Sequence, residues 1–279
     1  MPLAFKFGYN GRNFDGYAYQ NIPDPPKTVE LSILEALSTV MDRGKEDLGV
    51  FHKDMSFRSA SRTDKGVSAL GNVISFETDR DPEEMAKALN SLVKGCFFWS
   101  FAKVGKEFRP RKASSRWYRY HLSGDFQDYE LRRMVNTANL FFGEHDFRNF
   151  CKKDQSDDDK TTVREIFDID VELEGGNVII DIKANGFLWH MVRKIVWTLE
   201  RSARDDIAMA EVYNHLDEGA DSLNIGLAPA EPLVLMDVEY EGIEFTRISG
   251  IRKDEIFKRM QSLKDEMRFL DMTIERILD

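Results

Sequence analysis

The sequence predicts an α+β protein built from two ferredoxin-like-type halves that share a mainly antiparallel sheet, with a central cleft between them and a helix at the C-terminus. Three observations carry this expectation. Strand-like segments with period-two alternation and helix-like segments with apolar residues three and four apart follow one another in the same order twice. Each run approximates a split β-α-β-β-α-β unit. The last thirty or so residues then switch to a heptad pattern found nowhere earlier. The expected organisation is an N-terminal half over 1–107, a C-terminal half over 108–245 and an amphipathic helix over 246–279.

In the first half, Leu3, Phe5, Phe7 and Tyr9 share one face of an opening strand. Thr28 is placed to cap a helix that carries Leu31, Leu34, Leu37 and Met41 on one side. Met55–Ser59 is available as a short strand, and Asn72–Glu77 forms the next. Asp81 as N-cap, Pro82 at the first helical position and Glu84 two residues on make a strong helix start. A buried strand follows over Cys96–Val104.

The second half repeats the order. Arg116–Ser123 alternates, with Tyr118, Tyr120 and Leu122 on one face and Trp117, Arg119 and His121 on the other. A helix is expected from about Tyr129 to Phe142, burying Leu131, Met134, Val135, Ala138 and Phe142, with Gly143 as its stop. Ile166–Leu173 and Asn177–Ala184 flank Gly175-Gly176 as a hairpin. Helical periodicity returns over Leu188–Ala203 and near Ile207–Leu216, and Leu233–Tyr240 closes as a strand. Asp154–Asp159 has too little apolar content to pack and is expected to be an exposed loop. In the tail, Ile256, Met260, Leu263, Met267, Leu270, Ile274 and Ile277 repeat at alternating spacings of four and three. That seam suits either one amphipathic helix lying on its own domain or a helix that contributes to self-association.

Composition narrows the class. An apolar share of 42% with 32% charged residues is ordinary globular chemistry. No apolar stretch approaches the roughly 20 residues that cross a bilayer, and the start lacks a signal peptide's long apolar run, so a cytoplasmic protein is expected. Cys96 and Cys151 stand in no metal-like spacing. His121, His145 and His190 form none either, so no metal site is expected. The net charge of −10 argues against a polyanionic partner only if charge is evenly spread. It is not: Lys103, Lys106, Arg109, Arg111, Lys112, Arg116 and Arg119 are accompanied by one acid, Glu107. On charge alone that stripe suits a solvated surface strand and a phosphate-binding one equally. Phe108, Trp117, Tyr118 and Tyr120 interleave with it and offer stacking platforms for unpaired bases, which favours a nucleic-acid partner.

Asp64 sits in Arg62-Thr63-Asp64-Lys65-Gly66, a turn whose glycine can take a positive φ. On that segment alone, backbone capping is the ordinary role for the aspartate. The wider stretch Ser59-Ala-Ser-Arg-Thr-Asp-Lys-Gly-Val-Ser-Ala-Leu-Gly-Asn72 resembles the GRTDxGVxA loop of the TruA-type tRNA pseudouridine synthase family. Four further segments match in the same order. Phe7-Gly-Tyr-Asn-Gly-Arg-Asn-Phe-Asp-Gly16 is similar to YDGxxFxG, and Phe108-Arg-Pro-Arg-Lys-Ala-Ser-Ser-Arg-Trp-Tyr-Arg-Tyr120 to FxxRxxAxxRxYRY. Gly143-Glu-His-Asp-Phe147 is similar to GxHDF, and Ala184-Asn-Gly-Phe-Leu-Trp-His-Met-Val-Arg-Lys-Ile-Val196 to AxxFLxxMVRxIV. The resemblance covers roughly residues 3–240, and five ordered motifs are far more specific than any one. Departures are Tyr17-Ala18 in place of Trp-Gln, Arg109 in place of His, Trp197 in place of Gly, and Glu231-Pro232 before the last strand.

The resemblance implies an isomerase that turns uridine into pseudouridine in the tRNA anticodon arm, at positions 38 to 40. It implies no cofactor, because no redox change occurs and no atoms are gained. Asp64 is implied as the catalytic carboxylate, with the route, covalent addition or removal of a ribose proton, left open. Tyr118 is implied as the tyrosine that stacks on the base, with a core tyrosine as its ordinary alternative. Arg193 would pair with the carboxylate, and Phe187 and Leu188 would pack under the uracil. Arg62 would fill the space left by the flipped nucleotide or hold its phosphate, and Arg111, Lys112 and Arg116 would hold the RNA backbone. The family implies a homodimer. A tRNA-binding protein of the same lineage without catalysis is the competing reading.

Overall fold

The computed structural model describes residues 2–43, 48–152, 161–174, 177–216 and 225–250. The Asp154–Asp159 segment, the Gly175-Gly176 turn and the heptad tail lie outside the described residues. The fold mixes helices with antiparallel sheet, and the chain divides into two compact units. One comprises residues up to Ala113 together with those from Leu235 onward; the other is Ser114–Val234.

The first unit runs through β1 (Pro2–Tyr9), α1 (Val29–Val40), α2 (Leu48–Asp54), β2 (Arg58–Ser59), β3 (Ser68–Glu77), α3 (Pro82–Leu92) and β4 (Cys96–Lys103). It takes in most of β9 (Leu233–Glu239) and ends on β10 (Thr246–Arg247). Strand order is β10-β4-β1-β3-β9, with β2 also paired to β3. β1 is antiparallel to both neighbours, Phe5 lying opposite Ile74 on one side and Phe101 on the other. The period-two pattern of β1 predicts one apolar face, but every residue from Leu3 to Tyr9 is buried. Lys6 tolerates burial because its ammonium meets the Asp237 carboxylate at 2.5 Å and lies over the rings of Trp99 and Phe245.

Helix starts follow the sequence signals. The Thr28 side chain accepts from the Leu31 amide at 3.2 Å, and Asp81 accepts from the amides of Glu83 and Glu84. Leu31, Leu34 and Leu37 of α1 are buried, as are Met85, Ala86 and Leu89 of α3. Residues 246–250, placed by the sequence in the C-terminal helix, instead begin as strand. Thr246 and Arg247 pair with Phe101 and Ser100, and the Ser100 hydroxyl donates to the Thr246 carbonyl at 2.8 Å. The edge of β4 offers backbone partners there that a helix would leave unmet.

The second unit runs through β5 (Ser115–Ser123), α4 (Asp128–Ala138), β6 (Gly143–Asp146), β7 (Val163–Glu174), β8 (Asn177–Ala184), α5 (Met191–Ala203) and α6 (Met209–Leu216). Its antiparallel strand order is β5-β8-β7-β6. α4 and α5 are joined by a buried hydroxyl pair, Thr137 to Ser202 at 2.6 Å. α4 stops at Ala138 and tightens into a 3-10 turn over Asn139–Phe141, so it is shorter than its apolar periodicity predicts. Met134 and Ala138 are buried as expected, but Val135 and Phe142 are exposed. α5 likewise begins at Met191 rather than Leu188, because His190 takes a left-handed conformation with φ 68°.

Candidate functional site

In the first unit, Asp64 occupies the loop between β2 and β3. The Val67 amide donates to the Asp64 carbonyl at 3.2 Å, and Gly66 takes φ +90°, so the carboxylate stands on a tight turn. Asp64 is half-buried, whereas Arg62 is exposed. Buried polar groups fix the loop on both sides. The Asn72 side chain accepts from the Ser61 amide at 3.3 Å and donates to the Ser61 carbonyl at 3.0 Å. It also donates to the Tyr9 hydroxyl at 3.3 Å, and that hydroxyl lies 2.8 Å from Thr63 Oγ1. After Asp64, the Lys65 ammonium pairs with Asp15 at 2.7 Å and holds the Asp15 carboxyl below its usual range. Gly11 approaches so closely that a Cβ there would lie 2.1 Å from the Val67 carbonyl oxygen. Ser68 Oγ in turn accepts from the Gly11 amide.

In the second unit, the Tyr118 ring meets Phe187 edge-on, with centroids 5.1 Å apart and planes at 89°. Leu188 follows and is half-buried. Arg193, in the first turn of α5, donates from Nε to the Ala228 carbonyl at 2.7 Å, and the Ala228 amide donates to the Arg193 carbonyl at 3.2 Å. Burial pushes the neighbouring Tyr120 hydroxyl well above its usual range; Glu200 adds to this and Arg193 opposes it. Tyr120 therefore stays neutral.

Two of the seven cations in the basic stripe are not at the surface. Arg116 is 9% exposed and donates to the Asn185 carbonyl at 3.2 Å, so it supports the loop that carries Phe187. Arg119 is 5% exposed and engages Asp181. Lys103, Lys106, Arg109, Arg111 and Lys112 are exposed. Charge counting along the chain could not separate these groups, because the partners of the buried pair lie more than sixty residues away. Tyr9, Thr63 and Asn72 were also missed as loop anchors. In sequence Tyr9 is one member of an apolar strand face, which conceals what its hydroxyl does.

The described residues contain no group of three or more His, Cys, Asp or Glu side chains that could hold a metal ion. None of their helices is long and apolar enough to cross a membrane.

A model of the family described as tRNA pseudouridine synthase matches residues 137–241. A protein named tRNA pseudouridine synthase A from Pyrococcus abyssi is 38% identical over 248 residues, covering 88% of this chain and 87% of the relative. Its namesake from Thermococcus sibiricus is 36% identical over the same shares. The one from Archaeoglobus fulgidus is 35% identical and covers 94% of this chain and 90% of its own. Matches of this length and identity place the chain among the pseudouridine synthases. More narrowly, it belongs to the TruA-type tRNA pseudouridine synthase family.

Proposed function

We propose that this chain isomerises uridine to pseudouridine in the anticodon stem-loop of tRNA, at positions 38 to 40, with Asp64 as its catalytic carboxylate. Membership of the family supports an isomerase acting on tRNA. The observation that carries the assignment of Asp64 is its mounting. A half-buried carboxylate stands on a turn that buried Asn72 and Tyr9 hold before it and the buried Gly11–Ser68 hydrogen bond holds after it. A carboxylate needed only for capping has no use for so rigid a base.

In the reaction the N1–C1′ bond breaks, uracil turns, and C5 joins C1′; C5 loses its proton and N1 gains one. An ionised carboxylate at the sugar serves either route, by adding to the sugar or by removing a ribose proton. Tyr118 stacks on the base and takes the C5 proton, its ring set by Phe187. Leu188 packs beneath the base, and Arg193, held by the Ala228 carbonyl, supplies a cation to the site. Arg62, exposed two residues before Asp64, takes the place of the flipped nucleotide. Arg111 and Lys112 hold RNA phosphates directly, and Arg116 acts through the Asn185–Phe187 loop. The enzyme works in the cytoplasm as a homodimer of chains, each with two ferredoxin-like halves.

The test uses purified protein, unmodified tRNA transcripts and no added cofactor, comparing wild type with Asp64→Asn and mapping modified positions chemically. Pseudouridine from wild type, with none from a folded Asp64→Asn that still binds tRNA, is the expected result. If neither protein makes pseudouridine while both bind tRNA, a non-catalytic tRNA-binding protein replaces the proposal.

A further inference from the structure

We infer that Tyr9 is a positioning residue for Asp64 and acts through Thr63, an inference that rests on reading Asp64 as the catalytic carboxylate. Tyr9 is the last residue of β1 and is fully buried. Its hydroxyl stands between two buried side chains from the far side of the Asp64 loop, Asn72 Nδ2 at 3.3 Å and Thr63 Oγ1 at 2.8 Å. The Asn72 amide nitrogen can only donate, so Tyr9 Oη accepts there. The same hydroxyl shares its second bond with the hydroxyl of Thr63, which precedes Asp64 directly. The Asn72 side-chain oxygen accepts from Ser61 and from the adjacent Val73 amide, while its nitrogen also reaches the Ser61 carbonyl. Ser61 is thus fixed by two backbone atoms and Thr63 by its side chain.

The aromatic ring and the hydroxyl of Tyr9 do separate things. The ring is packed by Phe7, Phe14 and Tyr17, with centroids 5.6, 6.4 and 6.0 Å away. Removing the oxygen leaves those ring contacts in place and cuts the hydroxyl's ties to Thr63 and Asn72. A group that fixes a catalytic side chain from behind matters to the rate rather than to affinity, because small displacements at the reacting centre are expensive.

Tyr9→Phe, Thr63→Val, Thr63→Ser and Asp64→Asn are compared with wild type for single-turnover rate on a tRNA transcript, tRNA dissociation constant and melting temperature. Tyr9→Phe lowers the rate by about ten- to a hundredfold with the dissociation constant within about twofold of wild type. Thr63→Val slows the enzyme as well, Thr63→Ser restores the rate, and the Tyr9→Phe/Thr63→Val double variant is no slower than Tyr9→Phe alone, because Tyr9→Phe already removes the bond to Thr63. A Tyr9→Phe enzyme at wild-type rate beside an inactive Asp64→Asn overturns the inference and leaves the Asp64 assignment standing. Additive losses in the double variant overturn it too. An active Asp64→Asn removes the premise itself. Should Tyr9→Phe fail to fold, the contrast between Thr63→Val and Thr63→Ser decides, equal rates overturning the inference.

Discussion

Arg119 and Asp181 face each other across β5 and β8 and form a two-point ion pair, Nε to Oδ1 at 2.9 Å and Nη2 to Oδ2 at 2.6 Å. Trp117 Nε1 donates to the same carboxylate at 2.7 Å, and the Arg119 guanidinium stands 5.6 Å from the Trp117 ring centroid. The Arg119 side chain is 6% exposed and that of Asp181 23%. Asp181 therefore neutralises a cation that has little water of its own.

Asp181→Ala should cost about 2–4 kcal/mol in urea unfolding, since breaking a buried pair leaves its charge uncompensated and the partial exposure of Asp181 softens the loss. Replacing Arg119 and Asp181 together by leucine and asparagine should cost less than Asp181→Ala alone. Neither change should alter the salt dependence of tRNA binding. Lys112→Ala, by contrast, removes an exposed cation and should lower the slope of log affinity against log salt by about one, with stability unchanged. A slope that shifts with Arg119 and not with Lys112 would place the RNA contact on the wrong residues.

His121, on the same face of β5, supplies a pH dependence. Burial, and then the adjacent Arg119 charge, lower its pKa from 6.5 to about 4, while Asp181 pulls the other way. Between those values the unfolded chain holds a proton that the folded chain refuses. The stability this neutral histidine preserves is complete above about pH 6.5 and declines as the pH falls towards 4, where the loss reaches on the order of 3 kcal/mol. Urea midpoints for wild type and His121→Gln at pH 7.5 and pH 5 test this. The variant should lose less stability on acidification than wild type, and parallel declines would show that another group carries the effect.

Much of the chain was legible because its signals are local. Thr28 and Asp81 cap their helices as short-range chemistry requires, and Asp64 lies on a turn between two strands with Gly66 at positive φ, as the local segment predicts. What escaped depends on partners distant in sequence. Tyr9 lies 54 residues before Thr63, and nothing in an alternating strand announces that its hydroxyl is engaged. The seven-cation stripe overstated the exposed charge, because spacing cannot show Arg119 meeting Asp181 on another strand. α4 is shorter than its apolar period predicts for a different reason: the backbone tightens after Ala138 and leaves Phe142 exposed, while Val135, still within α4, is exposed as well.

Trp197, which departs from the family's glycine, has a visible accommodation in Gly226. A Cβ on Gly226 would lie 2.4 Å from Trp197 Cε2 and 2.5 Å from Nε1, so indole and glycine occupy complementary space. The Arg201 guanidinium lies 5.6 Å from the indole ring centroid. Two residues beyond Gly226 lies Ala228, whose carbonyl and amide both bond Arg193. Gly226→Ala should therefore do two things at once. It should destabilise the fold by about 1–3 kcal/mol through overpacking, and it should slow pseudouridine formation by displacing the strap that holds Arg193. Trp197→Leu in the same chain opens the space again, so the double variant should recover stability and rate relative to Gly226→Ala. Thermal melts and single-turnover rates on the four proteins of this cycle measure the coupling. Simple addition of the two losses would mean that Gly226 is a glycine for some reason other than the indole, whereas recovery identifies Trp197 and Gly226 as one paired departure that keeps Arg193 in place.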